Sequence, residues 1–516
     1  MKYITSNIKR VVAFSMTVLF SLIFNSCENS LDLTNPNQPT PDSFWRDGTD
    51  AESGLISVYA SLPTVHLFGR LGTGVFLIQR SDIANTFPQD NVNNAGTFSA
   101  HPDYPRMREV WPELYRIVAS ANQVIGRVPD IDMDGTRKTE ILGEAHFLRG
   151  FAFFYLLNLW GAVPMPLVEA QSLEDIFLPA SSEAEIWATI ESDFSTAQKN
   201  LPSDNSLPRG EVGRPTWAAA TGMLGKALLF QDKWTQAAAE FKKIVDADDY
   251  TLVSDFSLNS SEAGNNNAES LFEIQLDGNA SGGWGSAGNN AWRGQGWEAD
   301  IAPRGYTSQQ SMAVNQWVLD LFLAQTTNAN GEDPRAAATI IWDYPGAKVY
   351  QDDFADAFQG DDLNRVWVRK YLNFDPDHLD ALTPGSWAGS TSNLRMLRYA
   401  DVLLMYAEAE NEANGGSAAA HDAINEVRGR ADMPDYVGLD QASLRTAIRD
   451  ERVRELAIEG HRWFDLKRWG ILEERFSDGT FKSNSRGVWE AKHEYLPIPR
   501  PDVESNPNLE QNPLWK

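Results

Sequence analysis

Cysteine is almost missing from this chain: Cys27 is the only one among 516 residues. No disulfide can form within one chain, so packing and polar contacts must hold the fold. Positive charge is also scarce. Lysine and arginine total 44 against 71 aspartates and glutamates, a formal charge of −27 at pH 7. Residues 1–26 hold three cations (Lys2, Lys9 and Arg10) and no acid, so the remainder carries −30. That excess excludes a general nucleic-acid binder and disfavours docking onto anionic lipid by charge. Long apolar runs are lacking too. Val11–Phe24 offers fourteen mostly apolar residues, which at ~1.5 Å per residue cannot cross a ~30 Å hydrocarbon core. Catalytic signatures are equally thin, with no GxSxG elbow, HExxH pair or Walker loop. Gly283–Gly288 spells GxGxxG, but loop-type residues follow where a dinucleotide site needs a helix. The seven histidines are scattered singly, without metal-ligand spacing. His146 reads as a hydrogen-bonded residue of an apolar helix, and His461 as part of a charged structural segment.

What is present begins at the lone thiol. Lys2, Lys9 and Arg10 form a basic n-region, Val11–Phe24 an apolar core, and Ser26 places a small residue before Cys27. This pattern is that of a signal peptide. It resembles a bacterial lipobox, although Phe24 and Asn25 stand where leucine and a small residue are commoner. Residues 1–26 are therefore expected to be a signal peptide, with Cys27 acylated as the new N-terminus. Residues 27–40 are polar and rich in asparagine and proline, the composition of a flexible tether.

Globular pattern starts at residue 41. Thr49 and Glu52 have the spacing of a capping box opening a helix through Tyr59. Apolar residues at helical spacing predict further helices over 108–128, 139–159 and, capped by Ser182 and Glu185, 182–197. From about 250 to 390 the texture changes to short strands, such as 271–276, between loops of Gly, Asn and Ser. Helical pattern returns from Leu394 to about Arg468. Leu224-Gly225…Leu228…Trp234…Ala237…Phe241…Ile244 follows the tetratricopeptide pattern of small residues facing bulky ones, and Ala407…Gly415…Ala420…Ile424…Val427 repeats its second half. Repeats need neighbours to bury their faces, so the hairpins from both ends of the chain should come together. The expected fold is mostly α: tetratricopeptide-like hairpins with an inserted loop-rich region of short β-strands. Its parts are a helical region at 41–250, the insertion at 251–393 and a second helical region at 394–516.

Three segments carry a resemblance to a known family. They are Gly143–Pro166 (GEAHFLRGFAFFYLLNLWGAVPMP), Arg449–Gly470 (RDERVRELAIEGHRWFDLKRWG) and Leu397–Ala409 (LRYADVLLMYAEA), joined by Arg214-Pro-Thr-Trp217 and Tyr495-Leu-Pro-Ile-Pro499. Together they are similar to the hallmarks of SusD/RagB-like proteins, in order from about Asn35 to the end. The resemblance implies an outer-membrane, cell-surface lipoprotein, not an enzyme, that captures glycans and partners a TonB-dependent transporter of the SusC type. Two other classes are weighed beside it: a secreted glycoside hydrolase, and a tetratricopeptide scaffold that binds another protein. The Arg449–Gly470 segment itself reads as architecture, with i,i+3 pairs Glu451/Arg454 and Arg452/Glu455 partly buried beside Trp463, Phe464 and Trp469.

The expected ligand site is the insertion. Trp284, Trp292 and Trp297 fall close together among Gly, Asn and Ser. Indole rings stack on the C–H faces of sugars while short polar groups meet the hydroxyls. Tyr306 and Trp342 are further candidates, and the resemblance adds the 80–98 loop with Phe87 and Asn94. The competing reading packs these aromatics into the core or against the transporter. The charge favours neutral glycans unless local arginines offset it. No cofactor is expected. Asp130, Asp132 and Asp134 before Gly135 match the start of a calcium loop. Position 12 is Ile141, however, with Glu140 one residue short, which favours an acidic helix connection. If Cys27 is acylated, a clickable fatty acid will label the wild type in cells and leave Cys27→Ala unlabelled; label on the variant would refute the anchor.

Overall fold

The computed structural model describes residues 44–64, 66–69, 72–87, 96–172, 174–203, 212–276, 296–302, 306, 312–374, 390–477 and 487–516. Cys27, Asn94, Trp284 and Trp292, together with the expected signal and tether, lie outside the described residues. The helical body contains α1 (Gly48–Tyr59), α2 (Thr73–Arg80), α3 (Pro105–Arg127), α4 (Gly135–Trp160), α5 (Glu183–Asn200), α6 (Trp217–Leu229) and α7 (Trp234–Ala247). After the insertion come α8 (Tyr399–Asn414), α9 (Ala418–Arg430), α10 (Gln441–Leu456) and α11 (Arg462–Arg468). Strands β1 (Ala84–Thr86), β2 (Ser270–Ile274), β3 (Met312–Val314), β4 (Ile340–Ile341), β5 (Trp367–Val368) and β6 (Leu394–Arg398) pair two by two.

Local chemistry sets the helix starts. Ser182 and Glu185 form the expected capping box at α5. At α1 the cap is Asp47 and not Thr49; its carboxylate accepts from the amides of Thr49 and Asp50. Glu52 is unavailable for a box because its carboxylate accepts from the Arg137 guanidinium on α4, at 2.5 and 3.0 Å. Asp134 caps α4 by accepting from the Arg137 amide at 2.8 Å, and Asp130 closes a 3-10 turn. Asp130, Asp132 and Asp134 join no group of three acidic, histidine or cysteine side chains able to hold a metal ion among the described residues. Within the acidic connection between α3 and α4, Asp134 thus serves as the start of α4.

The helices stack in one continuous series: α3 on α4, α4 on α5, α5 on α6, α6 on α7, α7 on α8, and α8 on both α9 and α10. Contact between α7 and α8 closes the gap that the insertion opens in the sequence, as the split repeat requires. Inside the first hairpin, Gly225 lies under the Phe241 ring, where an added Cβ would sit 2.6 Å from Cε1. This is the small-against-bulky contact read from the repeat spacing.

Strand β6 corrects the sequence reading. Residues 394–398 carry helical pattern, yet they pair antiparallel with β2, with Phe272 opposite Leu397 and Ile274 opposite Leu394. The partner that imposes the extended form lies more than a hundred residues upstream, beyond reach of a local signal. The β2–β6 ladder brings the two ends of the insertion side by side. The β1–β3 pair joins the insertion to the segment after α2.

The Arg449–Gly470 segment is more buried than expected. Glu455 accepts from Arg335, Arg398 and Arg430 at 3.0, 2.6 and 2.5 Å. Glu459 holds Arg398 and Lys370 at 2.9 and 2.7 Å. Glu451 holds Arg335 and Arg428 at 2.7 and 2.9 Å. Of the two expected i,i+3 pairs, Glu451–Arg454 forms at 3.4 Å. Arg452 turns instead to Asp401 and Asp465, at 2.8 and 2.9 Å, while Glu455 is taken up by Arg335, Arg398 and Arg430. His461 is buried beside Lys226 at 3.4 Å, and burial, with Lys226 nearby, pushes its imidazole down to about 4. His146 bonds Asp193 at 2.7 Å. Since α7 needs α8 to cover its face, residues 41–250 expressed alone should melt without a cooperative transition; a cooperative, well-dispersed fragment would contradict the stacking account.

Candidate functional site

Trp297 anchors the described part of the expected site, but not as a ligand contact. It is 3% exposed, its indole N–H donates to the Phe68 carbonyl at 3.1 Å, and Tyr371 meets it edge-on at 5.0 Å. Gly74 of α2 provides the shelf: an added Cβ there would lie 2.0 Å from Trp297 Cζ2. A ring enclosed in this way has no face left for a sugar, so its assignment as a binding residue is corrected to a core role.

Its neighbour Glu298 transmits that anchoring outward. The Glu298 carboxylate is buried and accepts from the Tyr350 hydroxyl at 2.7 Å and the Asn373 amide at 3.0 Å. Burial, and then the Glu298 charge, pushes the Tyr350 phenol well above its ordinary value, so it stays a donor. Tyr350 sits at φ 54°, a left-handed conformation that a bulky residue adopts only under constraint. The constraint is the Glu298 bond on one side and two rings on the other. Tyr306 lies 5.0 Å away and Phe374 5.0 Å away, the latter stacked.

Tyr306, Tyr350 and Phe374 therefore form a line of three rings in which the outer two are only partly buried. Tyr306 donates to Asp352, and burial followed by this bond raises its phenol. Gln351 Nε2 donates to the Phe374 carbonyl at 3.3 Å. The Arg369 guanidinium covers the Phe374 ring at 3.3 Å. Flat apolar rings beside short polar groups on a fixed frame are what a sugar needs: a surface for its C–H face and partners for its hydroxyls.

The other candidates divide. Trp342 is 9% exposed; it backs Tyr344, whose ring lies 4.5 Å away and is partly exposed. Phe87 is partly buried against Trp367 at 6.1 Å, with the Arg365 guanidinium 5.0 Å from its ring. Of the expected residues that the structure describes, Tyr306 alone joins the ring line. Tyr344, Tyr350, Phe374 and Arg369 were not singled out by sequence. Two local signals were available: Trp342-Asp-Tyr344, and the run Arg365–Phe374 (RVWVRKYLNF), in which aromatics alternate with cations.

Comparison with known proteins agrees with this architecture. A model described as the SusD family matches residues 268–515, and one described as starch-binding associating with outer membrane matches residues 78–229. The chain is 29% identical to SusD-like protein P25 of Formosa agariphila over 96% of this chain and 97% of that one. A SusD superfamily protein from Bacteroides vulgatus is 28% identical with a TM-score of 0.78, covering 92% of this chain and all of that one. A structure described as a laminarin binding SusD-like protein is 26% identical with a TM-score of 0.74, at 91% and 100% coverage. The chain belongs to the SusD/RagB family.

Proposed function

We propose that this protein is a lipid-anchored, surface-exposed glycan-binding protein of the outer membrane that captures an oligo- or polysaccharide. It passes the glycan to a TonB-dependent SusC-like transporter without cleaving it. The observation that carries the glycan reading is the line of Tyr306, Tyr350 and Phe374, held by the buried Glu298 and rimmed by Asp352, Gln351 and Arg369. Carbohydrate recognition among relatives supports it, one similar structure being described as laminarin binding. Trp284, Trp292 and Asn94 are proposed as further contacts. Anchoring rests on the position of Cys27, and delivery to the transporter on the family resemblance.

Isothermal titration of the mature protein against plant, algal and host polysaccharides tests the reading. Tyr306→Ala should weaken the cognate glycan by roughly ten-fold, the scale of one stacked aromatic at a binding hot spot, and Phe374→Ala, whose ring lies between Tyr350 and Arg369, should weaken it less. Both should melt near the wild type because their rings sit at the rim. Trp297→Ala should instead lower the melting temperature, since it empties a buried indole site. Wild-type affinity in both rim variants would remove the site from this face. New reducing ends on incubation with the glycan would favour a hydrolase, and no binding across the panel would favour a protein-binding scaffold.

A further inference from the structure

Arg369 differs from the other arginines of the insertion and its surroundings. Arg335, Arg398, Arg428, Arg430 and Arg452 are buried, and each holds a carboxylate at 2.9 Å or closer. Arg369 forms no ion pair with a carboxylate among the described residues. The one hydrogen bond of its guanidinium there runs from Nη1 to the Leu372 carbonyl at 3.2 Å, and its plane rests on Phe374 at 3.3 Å. A guanidinium has five donors, so most of its hydrogen-bonding capacity is unspent among the described residues. Burial pushes it down to about 10, still a cation at neutral pH.

The guanidinium borders a cleft of about 230 Å³ whose other walls include Ser257, Ser260, Asn373 and Ser390. The one acid in its wall, Glu262, is exposed and accepts from the Thr391 amide at 2.7 Å. A half-buried cation that Glu298 reaches only through space, with no ion pair among the described residues, can gain from a further anion, and a planar fork matches a carboxylate or sulfate in a bidentate pair. We propose that this cleft receives an anionic substituent, a uronic carboxylate or a sulfate ester, carried by the glycan that stacks on the adjoining ring line. The inference rests on the glycan-binding reading and narrows it to acidic glycans. It also runs against the net charge of −27, which the Arg369 guanidinium offsets locally.

Two matched pairs of ligands test it: tetragalacturonate against its fully methyl-esterified form, and a κ-carrageenan tetrasaccharide against its desulfated form. The wild type should prefer at least one charged member over its neutral counterpart by ten-fold or more, and added salt should shrink the preference. Arg369→Gln should abolish the preference, Arg369→Lys should keep part of it, and Arg369→Gln should melt at or above the wild-type temperature. The pair that is discriminated identifies the carboxylate or the sulfate as the group bound. No preference for either charged member overturns the proposal, while the neutral polysaccharide panel still decides glycan capture on its own. Arg369→Gln that melts lower and weakens charged and neutral members alike also overturns it, since Arg369 would then merely prop the Leu372 carbonyl and the Phe374 ring.

Discussion

A carboxylate buried among three guanidiniums is the interaction on which the rest of this structure depends. Glu455 leaves α10 facing Arg335 from the insertion, Arg398 at the end of β6 and Arg430 at the end of α9. Burial alone would raise its pKa, but the three cations pull it well below the ordinary carboxylate range. Glu269 holds Arg398 and Arg430 from the far side, at 3.0 and 3.1 Å. Charges this deep are unfavourable to strand singly and acceptable only as a complete set. The network therefore specifies one arrangement of four chain segments at once.

That arrangement explains how a loop-rich insertion presents a fixed face. The insertion enters along β2 and returns along β6, and the charge network lies where β6 meets α8. Lys370, two residues beyond β5, donates to the carbonyls of Glu455 and Ala457 and to Glu459. Arg369 directly precedes this clamp in sequence, and Phe374 lies four residues beyond it. Trp297 and Glu298 grip the same stretch from the other side through Tyr371 and Asn373. The rings at the rim are thus held by two sets of buried contacts, and little conformational freedom remains to be lost when a ligand stacks on them.

The helical half of the molecule was legible because helices announce themselves locally. Ser182 and Glu185 are three residues apart, and Gly225 and Phe241 fall within a single hairpin. What escaped was whatever depended on a distant partner. Leu394–Arg398 is extended because β2 pairs with it, and Thr49 lost the capping role because Arg137 captured Glu52. Trp297 was misplaced for the same reason. A tryptophan beside a glycine-rich run looks exposed until Gly74, more than two hundred residues away, is found to give it a berth. The alignment of Tyr350 and Phe374 comes from Glu298 and from each other, which no run of residues reveals. The charged segment at 449–470 was recognised as structural, but i,i+3 spacing favoured neighbours on the same helix over the longer-range partners that the fold supplies.

The central claim is that the Glu455 charge holds these segments together. Urea denaturation of Glu455→Gln measures it most directly, because the substitution keeps the shape and removes the charge. The account predicts a loss of about 3–5 kcal/mol in unfolding free energy, the scale of breaking a buried ion pair by neutralising one partner. A variant within about 0.5 kcal/mol of the wild type, the range of an ordinary surface substitution, would contradict it.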